Sequence, residues 1–496
     1  MRLIVVSNRV PSPRGGDKAT AGGLAVALKD LLQERGGVWF GWSGGVAEDA
    51  DSRLRTTIDG RIEYQQVDLT PIDRQEYYLG FANRVLWPAM HYRLGLTEFS
   101  RNDYAGYLRV NRKLAEALVP LLRDDDVIWV HDYHLLPFAS ILRELGVRNR
   151  IGYFHHIPWP PIEVFGAVPA SLQLLRGMAA YDLIGVQTAT DAGNLVRSLV
   201  EQTRATHARA GRLRFDGRHI QVQAFPIGID TRAFRRFAER DTSLPLVQRT
   251  AQSLGNRKLV IGIDRLDYSK GIVERIDAFE QFLLAYPQQR DQATLLQITP
   301  PSRAEVPEYD ALSRQIDQSI GRINGQHGSL DWVPIRFVKR AFSRQVLAGL
   351  CRHASVGLVT PMRDGMNLVA KEFVAAQDPA NPGVLVLSRF AGAARQMSDA
   401  LIVNPFDKTE VAEAIHAALA MPLDERQERH ARLMADLEAR DVDWWAETYL
   451  AALTRQKKQL PSAPPPPLRA VRKKLPLPRP AYSLPRPFAL VAASAK

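Results

Sequence analysis

Cysteine is nearly absent from this chain, since Cys351 is the single one among 496 residues. A lone cysteine excludes an internal disulfide and any four-cysteine zinc site, and it fits a reducing cytoplasm, where we expect the protein to reside. No apolar run approaches the roughly 20 residues that a membrane helix requires, so no membrane span is predicted. The usual dinucleotide and Walker-type phosphate motifs, G-x-G-x-x-G and G-x-x-x-x-G-K-[ST], are also missing.

Acidic residues are missing from the end of the chain. Residues 455–496 contain ten Lys or Arg, ten of the 32 prolines and no Asp or Glu. The formal net charge of the whole chain is +12, so the 454 residues before this segment have a charge of only +2. Because a basic, proline-rich segment cannot build a core, we predict a disordered tail over 455–496 and no specific nucleic-acid partner for the rest.

Short, continuous apolar runs are what the sequence has in abundance. They cover residues 3–6, 38–42, 127–130, 151–154, 183–186, 220–224, 259–263, 294–298, 335–338, 356–359, 384–387 and 401–403. Unbroken runs of this length are typical of strands buried on both faces. Helical apolar patterns lie between many of them, and this alternation predicts parallel sheets covered by helices.

Twelve such strands are too many for one sheet, and a break falls near residues 226–230. We therefore predict an α/β protein with two doubly wound, Rossmann-like domains, 1–228 and 229–440, that face a central cleft. An amphipathic helix over 441–454 closes the fold. Ligands of such sheets bind beyond the carboxyl ends of the strands, so the residues that follow each strand are the candidates for function.

Two motifs indicate other chemistries. Gly41-Trp-Ser-Gly-Gly45 matches the nucleophile elbow G-x-S-x-G of serine hydrolases, but the residues after it lack the apolar face of the helix that an elbow requires. His131, His134 and the pair His155-His156 could ligate zinc, although none has the spacing of a helical zinc motif. A glycine-rich turn and a polar cleft wall are the simpler interpretations.

Other motifs favour anion binding. Arg265 and Lys270 follow the first strand of the second domain, and two cations there suit a diphosphate. After the strand at 356–359, Asp364-Gly365 turns the chain into a helix whose first N–H groups would face the cleft, with Glu372 one turn along. Gly22-Gly23 opens an earlier helix and would let a ligand approach the backbone.

Longer motifs surround these residues in order from residue 1 to about 453. They are SNR…AGGL, WFGWSG, LWPAMHYRL, WVHDYHLLP, HIPWP, RLDYSKG, TPPSR, RINGQHG and GLVTPMRDGMNLVAKEFVAAQDPANPGVLVLS. This pattern resembles the trehalose-6-phosphate synthases, which are retaining glycosyltransferases of the GT-B fold. The resemblance implies transfer of glucose from a nucleotide sugar, typically UDP-glucose, to glucose 6-phosphate. A related synthase with another acceptor, such as glycerol 3-phosphate, and a regulatory homologue without catalysis are the alternatives.

The resemblance also implies a role for each matched residue. The donor site would consist of Gly22, Gly23, Arg265, Lys270, Phe342 and the helix start Leu368, Val369, Ala370, Lys371 and Glu372, with Glu372 on the ribose hydroxyls. The acceptor site would consist of Arg9, Tyr78, Asp132 and Arg303, with Trp87 and Ile157 walling the two anomeric centres. His156 and Asp364 would contact the transferred glucose and, with Arg265 and Lys270, form the catalytic set.

The implied chemistry needs neither a cofactor nor a metal, because pre-placed cations and helix N–H groups would stabilise the departing diphosphate. The family is thought to use attack from the same face as the leaving group, so no nucleophile is assigned. Its members often form dimers or tetramers, and a homo-oligomer is expected here.

Overall fold

The computed structural model describes residues 1–11, 23–49, 54–240, 244–302 and 307–455. All of these residues belong to one compact unit. Except for Arg455, the predicted disordered tail lies outside the described residues. Within the described part of the chain, no helix is both long enough and apolar enough to cross a membrane.

The first half of the chain builds a sheet of ten described strands. They are β1 (Leu3–Arg9), β2 (Gly37–Val46), β3 (Arg55–Asp59), β4 (Ile62–Leu69), β5 (Val127–His131), β6 (Arg150–Phe154), β7 (Leu183–Val186), β8 (Thr206–His207), β9 (Arg212–Phe215) and β10 (Arg218–Ala224). Their order across the sheet is β3-β4-β2-β1-β5-β6-β7-β10-β9-β8. The seven neighbouring strands β4-β2-β1-β5-β6-β7-β10 are parallel to one another. Antiparallel strands extend the sheet at both edges.

Helices accompany this sheet. They are α1 (Gly23–Arg35), α2 (Pro71–Asp73), α3 (Trp87–Met90), α4 (Arg101–Leu118), α5 (Phe138–Glu144), α6 (Ile162–Phe165), α7 (Ser171–Met178) and α8 (Ala189–Thr203). A π-helical segment, Arg74–Leu86, runs directly from α2 into α3.

The second half builds a smaller sheet in which every strand pair is parallel. Its strands are β11 (Lys258–Ile263), β12 (Ala293–Ile298), β13 (Ile335–Val338), β14 (Val356–Val359), β15 (Val384–Ser388) and β16 (Leu401–Val403), in the order β13-β12-β11-β14-β15-β16. Its helices are α9 (Thr231–Arg240), α10 (Pro245–Leu254), α11 (Ile272–Ala285), α12 (Pro307–His327), α13 (Arg344–His353), α14 (Leu368–Ala376), α15 (Lys408–Ala420), α16 (Leu423–Ala439) and α17 (Val442–Arg455).

All twelve apolar runs found in the sequence are strands, and the predicted fold class, α/β with two doubly wound sheets, is confirmed. The strands that sequence reasoning missed are β3, β4, β8 and β9. Each contains several polar residues, and three of them belong to the antiparallel edges, where one face can meet water. The boundary predicted at 228/229 falls between β10 and α9 and stays a prediction.

Strand order fixes where ligands can bind. In each sheet the chain winds outward in one direction and then in the other, and the reversal lies between β1 and β5 in the first sheet and between β11 and β14 in the second. Such reversal points leave a crevice beyond the carboxyl ends of the strands. Register keeps these ends level, since Ser7 of β1 lies opposite His131 of β5, and His131 lies opposite Phe154 of β6.

Helix α17 joins the end of the chain to the first sheet. The Tyr449 hydroxyl lies 3.1 Å from the Tyr153 carbonyl oxygen and 3.3 Å from that of Leu183, and its ring stacks on Trp129 at 4.6 Å. Trp445 of the same helix is fully buried against Trp129. One apolar core therefore continues from the first sheet through α17 to the helices of the second sheet.

Candidate active site

The loop after β11 holds two of the predicted diphosphate ligands in different environments. Arg265 is exposed and makes no side-chain hydrogen bond or ion pair with any described residue. Lys270 is buried, and its Nζ lies 2.5 Å from Asp364 Oδ2. Gly271 follows with φ +63°, and a Cβ there would lie 2.6 Å from the Thr360 carbonyl oxygen. The loop thus presents one cation to solvent and holds the other in place.

Arg275 of α11 fixes this loop from below. Its Nη1 donates to Asp264 Oδ2 at 2.6 Å and to Gln297 Oε1 at 3.0 Å, its Nε donates to Thr360 Oγ1 at 3.0 Å, and its Nη2 lies 3.3 Å from the Lys270 carbonyl oxygen. Only 1% of Arg275 is exposed. A buried guanidinium is tolerated when its N–H groups are satisfied and a carboxylate is close. Arg275 therefore ties the ends of three strands to the loop that carries Lys270.

The turn after β14 is closed by side-chain caps. Asp364 accepts hydrogen bonds from the Gly365 backbone N–H at 3.0 Å and from Asn367 Nδ2 at 3.1 Å, in addition to the contact with Lys270. Asn367 adopts φ +75°, which is uncommon for a residue with a side chain, and its Oδ1 accepts from the Ala370 N–H at 3.1 Å. The turn thereby starts α14 at the carboxyl edge of the sheet, where its first N–H groups suit an anion.

Gly365 brings the two halves of the chain into backbone contact. A Cβ on Gly365 would lie 2.1 Å from the His156 carbonyl oxygen and 2.9 Å from the Ile157 Cα. A Cβ on Gly392 would in turn lie 1.8 Å from the Gly365 carbonyl oxygen. Real Cβ atoms do not approach backbone this closely, so the stacking of three backbone segments depends on both glycines.

Lys371 and Glu372 stand side by side in α14 but face different surroundings. Lys371 Nζ donates to the Ile227 carbonyl oxygen at 2.7 Å and to Gln396 Oε1 at 2.8 Å, so its side chain is turned toward the segment between the two sheets. Burial lowers the pKa of Lys371 to about 7. Burial raises the pKa of Glu372 to about 7, against a smaller opposing effect of the Arg344 guanidinium.

The predicted acceptor residues of the first sheet lie at its carboxyl edge. Arg9 ends β1, is exposed, and lies over Gly44, where a Cβ would be 2.6 Å from Arg9 Nε. Asp132 follows β5 with φ +73°. Its Oδ1 accepts from the His156 backbone N–H at 3.2 Å, and its own N–H donates to the Phe154 carbonyl oxygen at 2.8 Å. Asp132 therefore links the ends of β5 and β6.

Aromatic and apolar side chains line the same edge. Tyr78, in the π-helical segment, packs between Trp42 at 5.5 Å and His134 at 5.9 Å between ring centroids. Trp87 and Ile157 are 4% and 7% exposed and belong to the core on this face of the sheet. As predicted wall residues they present little surface, and Ile157 also meets Gly365 through its backbone.

Some other predicted residues have no described contact with this arrangement. Gly22 and Arg303 lie outside the described residues, and Gly23 is described only as the first residue of α1. Phe342 lies just before α13, partly buried, with the Arg340 guanidinium 4.7 Å from its ring centroid.

Contacts join the remaining predicted residues of the centre into one chain. This series of contacts begins with the side chains of Lys270 and Asp364. The backbone of Gly365 then meets that of His156, and the His156 N–H donates to Asp132.

The model of glycosyltransferase family 20 matches residues 2–455. The chain belongs to glycosyltransferase family 20. It is 52% identical over 455 residues to a trehalose-6-phosphate synthase of Sinorhizobium fredii, with 91% of this chain and 98% of the relative covered.

Two solved structures carry ligands. A UDP-forming α,α-trehalose-phosphate synthase from Burkholderia xenovorans, in complex with glucose 6-phosphate, is 46% identical with a TM-score of 0.89 and covers 92% of this chain and 100% of its own. A structure described as trehalose-6-phosphate from E. coli, bound with UDP-2-fluoro glucose, is 45% identical with a TM-score of 0.88 and the same coverage. The likeness to these structures confirms the predicted GT-B fold.

The alternative motifs have structural roles in this family 20 chain. Ser43, the predicted elbow serine, lies inside β2 and not in a strand-to-helix turn, and it donates a hydrogen bond to Asp68. The serine hydrolase alternative is therefore wrong. Among the described residues, no three His, Cys, Asp or Glu side chains converge as metal ligands would.

Some residues of this site were missed by sequence reasoning. Arg275 looks like any charged residue of a helix, and Asn367 like any loop residue. Arg363 precedes Asp364, and its guanidinium lies 3.7 Å from the centroid of the Tyr92 ring, which adds a second contact between the two halves. Only the position of Arg363 and Asn367 within a long motif could have drawn attention to them.

A methyl group on Gly365 tests the backbone contact. We expect Gly365→Ala to push α14 and its turn away from the His156 carbonyl, because neither backbone segment can yield 1 Å without moving its strand. Misplacement of that size lowers kcat/KM by about 100-fold. Steady-state kinetics, with circular dichroism to confirm the fold, measures the effect.

Gly193→Ala is the matched control, because a Cβ at this position of α8 meets nothing within 4 Å. Alanine is also the better helix former, so this variant should keep its activity. Equal activity of Gly365→Ala and the parent protein would contradict the role given to Gly365.

The raised pKa of Glu372 predicts a pH-dependent stability. Between its ordinary value of 4.5 and about 7, the unfolded chain has lost the Glu372 proton and the folded chain retains it. This residue therefore makes the free energy of unfolding fall as the pH rises through that interval. Glu372→Gln cannot ionise, so its stability relative to the parent should increase from pH 4.5 to 7 and then level off.

Urea unfolding at a series of pH values measures this difference. Glu413→Gln, at an exposed position of α15, is the control and should show no such trend. A difference between Glu372→Gln and the parent that stays constant with pH would refute the prediction.

Proposed function

We propose that this protein transfers glucose from UDP-glucose to glucose 6-phosphate and forms α,α-1,1-trehalose 6-phosphate and UDP. The single observation that carries the proposal is the continuous contact from Lys270 and Asp364 to His156 across the two sheets. It places a cation of the second sheet and a polar loop of the first at one centre. Relatives about half identical over nearly the whole chain support the same activity.

The two ends of this centre suit the two substrates. At the second sheet, Arg265, Lys270 and the start of α14 offer positive charge and N–H groups for the diphosphate of the donor. At the first sheet, Arg9 is free to bind the phosphate of the acceptor, because its guanidinium has no ion-pair partner among the described residues. Arg303 completes the acceptor site in our proposal, and Asp132 binds a sugar hydroxyl there.

The chemistry follows from where charge develops. Cleavage of the glucosyl bond leaves a cationic sugar and an anionic diphosphate, so cations fixed beforehand stabilise the transition state. Lys270 is fixed by Asp364 and, through its carbonyl, by Arg275. Its ammonium group has three N–H bonds, and the contact with Asp364 leaves others for the diphosphate.

Asp364 is poorly suited to act as a nucleophile. One of its oxygens accepts from Lys270 and Asn367, and the other accepts from the Gly365 N–H. A carboxylate with both oxygens engaged in this way orients its neighbours. We therefore propose that the acceptor attacks on the face from which the diphosphate leaves, and that a phosphate oxygen takes the acceptor proton.

Other properties stay predictions. A cytoplasmic location fits the buried, unpaired Cys351. The preference for uridine in the donor and a homo-oligomeric state also belong to the proposal, and Phe342 and Glu372 would lie on the nucleotide in it.

A product assay tests the function. Purified protein is mixed with UDP-, GDP- or ADP-glucose and with glucose 6-phosphate or glycerol 3-phosphate, and products are identified by mass spectrometry. A disaccharide phosphate from UDP-glucose and glucose 6-phosphate is expected. Product only with glycerol 3-phosphate would favour the related synthase, and no product in any mixture would reject both.

Loss of the Lys270 ammonium should remove much of the stabilisation of the leaving group. We expect Lys270→Ala to lower kcat/KM by roughly 10²- to 10³-fold, the scale of one lost electrostatic contact in a transition state. Lys408→Ala is the control, because Lys408 is half-exposed and its Nζ forms an ion pair with Asp277 at 2.7 Å, and not with any of the residues assigned to the centre. Comparable losses in both variants would contradict a specific role of Lys270.

A further inference from the structure

His131 is a buried imidazole beside the centre that the proposed mechanism does not use. It ends β5, is 1% exposed, and packs against Trp129 at 4.6 Å between ring centroids. Two further rings contact it: His156 at 5.3 Å with an interplanar angle of 22°, and Phe154 at 6.5 Å. The two imidazoles meet through nitrogen atoms, since His131 Nδ1 lies 3.0 Å from His156 Nε2.

At this distance the two nitrogens form a hydrogen bond, in which one nitrogen carries the proton and the other accepts it. Two N–H groups would repel each other, and two lone pairs would do the same. Burial lowers the pKa of His131 to about 3, and burial together with His131 lowers the pKa of His156 well below its ordinary range. Both rings are therefore neutral near pH 7, and each has one N–H to place.

The far nitrogen of His131 decides which ring donates. His131 Nε2 is buried and has no hydrogen-bond partner among the described residues. A buried N–H group without a hydrogen-bond partner is rarer in proteins than a buried acceptor without one, because removing the N–H group from water without a new partner is the costlier of the two. The His131 proton therefore belongs on Nδ1, where it has an acceptor in His156 Nε2.

We propose that His131 is a positioning residue that sets the tautomer of His156. By donating from Nδ1 to His156 Nε2, His131 confines the proton of His156 to Nδ1. His156 is only partly buried, and Nδ1 makes no hydrogen bond with any described residue. Its N–H is then available to a hydroxyl oxygen of the transferred glucose. The inference rests on the proposed function for that last contact only.

The backbone of His156 is held independently of this contact. Its N–H donates to Asp132, and its carbonyl oxygen abuts Gly365. With the backbone fixed from both sides, the ring has its orientation set by His131, Phe154 and Trp445, whose centroids lie 5.3, 4.6 and 6.1 Å away. His131 is the member of this set that can also determine where the proton lies.

Ring nitrogen chemical shifts of the full-length protein, labelled with ¹⁵N-histidine, test the tautomer without substrate. The His156 signals are assigned by their absence in His156→Gln. We expect the Nδ1–H form in the parent protein and in His131→Asn, whose amide can donate from the position of Nδ1. His131→Leu should populate the Nε2–H form. An Nε2–H form of His156 in the parent protein overturns the proposal.

Kinetics separate positioning from packing. His131→Leu should lower kcat on the order of tenfold, the scale of one lost hydrogen bond, with both KM values nearly unchanged. His131→Asn should recover most of this loss. His416→Leu, which removes a partly buried imidazole stacked on Tyr286 at 3.9 Å, is the matched control and should keep its kcat.

Equal kcat losses for His131→Leu and His131→Asn would overturn the proposal, as would a loss no larger than that of His416→Leu. If His131→Leu does not fold, the shifts of the parent protein and of His131→Asn decide. If the parent protein makes no product with any donor and acceptor, the proposed function fails, and the tautomer measurement still stands as a separate result.

Discussion

The contact of the Gly365 backbone with the His156 carbonyl is the constraint on which the rest of the centre depends. Each partner belongs to a loop at the carboxyl edge of a different sheet. With no side chain between them, their separation is set by the strands that carry them, β6 and β14. Other interactions then attach to this junction, with Asp364 and Lys270 on one side and Asp132 on the other. Precision at the centre is a property of backbone packing.

Charge at the centre is divided between fixed and free groups. Lys270 and Arg275 are buried, and each has a carboxylate within 2.6 Å. Arg9 and Arg265 are exposed and are free of ion pairs with the described residues. Fixed groups cost no reorganisation when charge develops in a reaction. Free guanidinium groups instead adapt to a phosphate that arrives from solvent, which suits them to binding.

Two adjacent residues near the start of α14 carry an energetic cost. Lys371 and Glu372 are adjacent, and burial disfavours the charged form of both, with pKa values near 7. Each would be cheaper to replace by an apolar residue if stability alone mattered. Lys371 binds the Ile227 carbonyl in the segment that joins the two sheets. The buried Lys371 side chain therefore links the proposed nucleotide site to the segment that connects the two halves, at some cost in stability. Such a cost is expected where function competes with stability.

Local sequence predicted what depends on local physics. Apolar runs identified twelve strands, and most of these strands are buried along their length. β4 is also largely buried, but it contains Glu63, Gln65 and Gln66 and so gives no such signal. The π-helical segment was not foreseen, since no periodicity marks it.

Site residues divide in the same way. Lys270, Asp364 and His156 stand in motifs at strand ends, and topology alone brings strand ends together. The roles of Arg275 and His131 depend on atoms up to 85 residues away, such as Thr360 for Arg275. Residue type specifies that a buried imidazole or guanidinium needs partners, but the fold chooses them. That choice determines which nitrogen of a histidine carries the proton, so this part of the chemistry becomes readable only once the two sheets are in place.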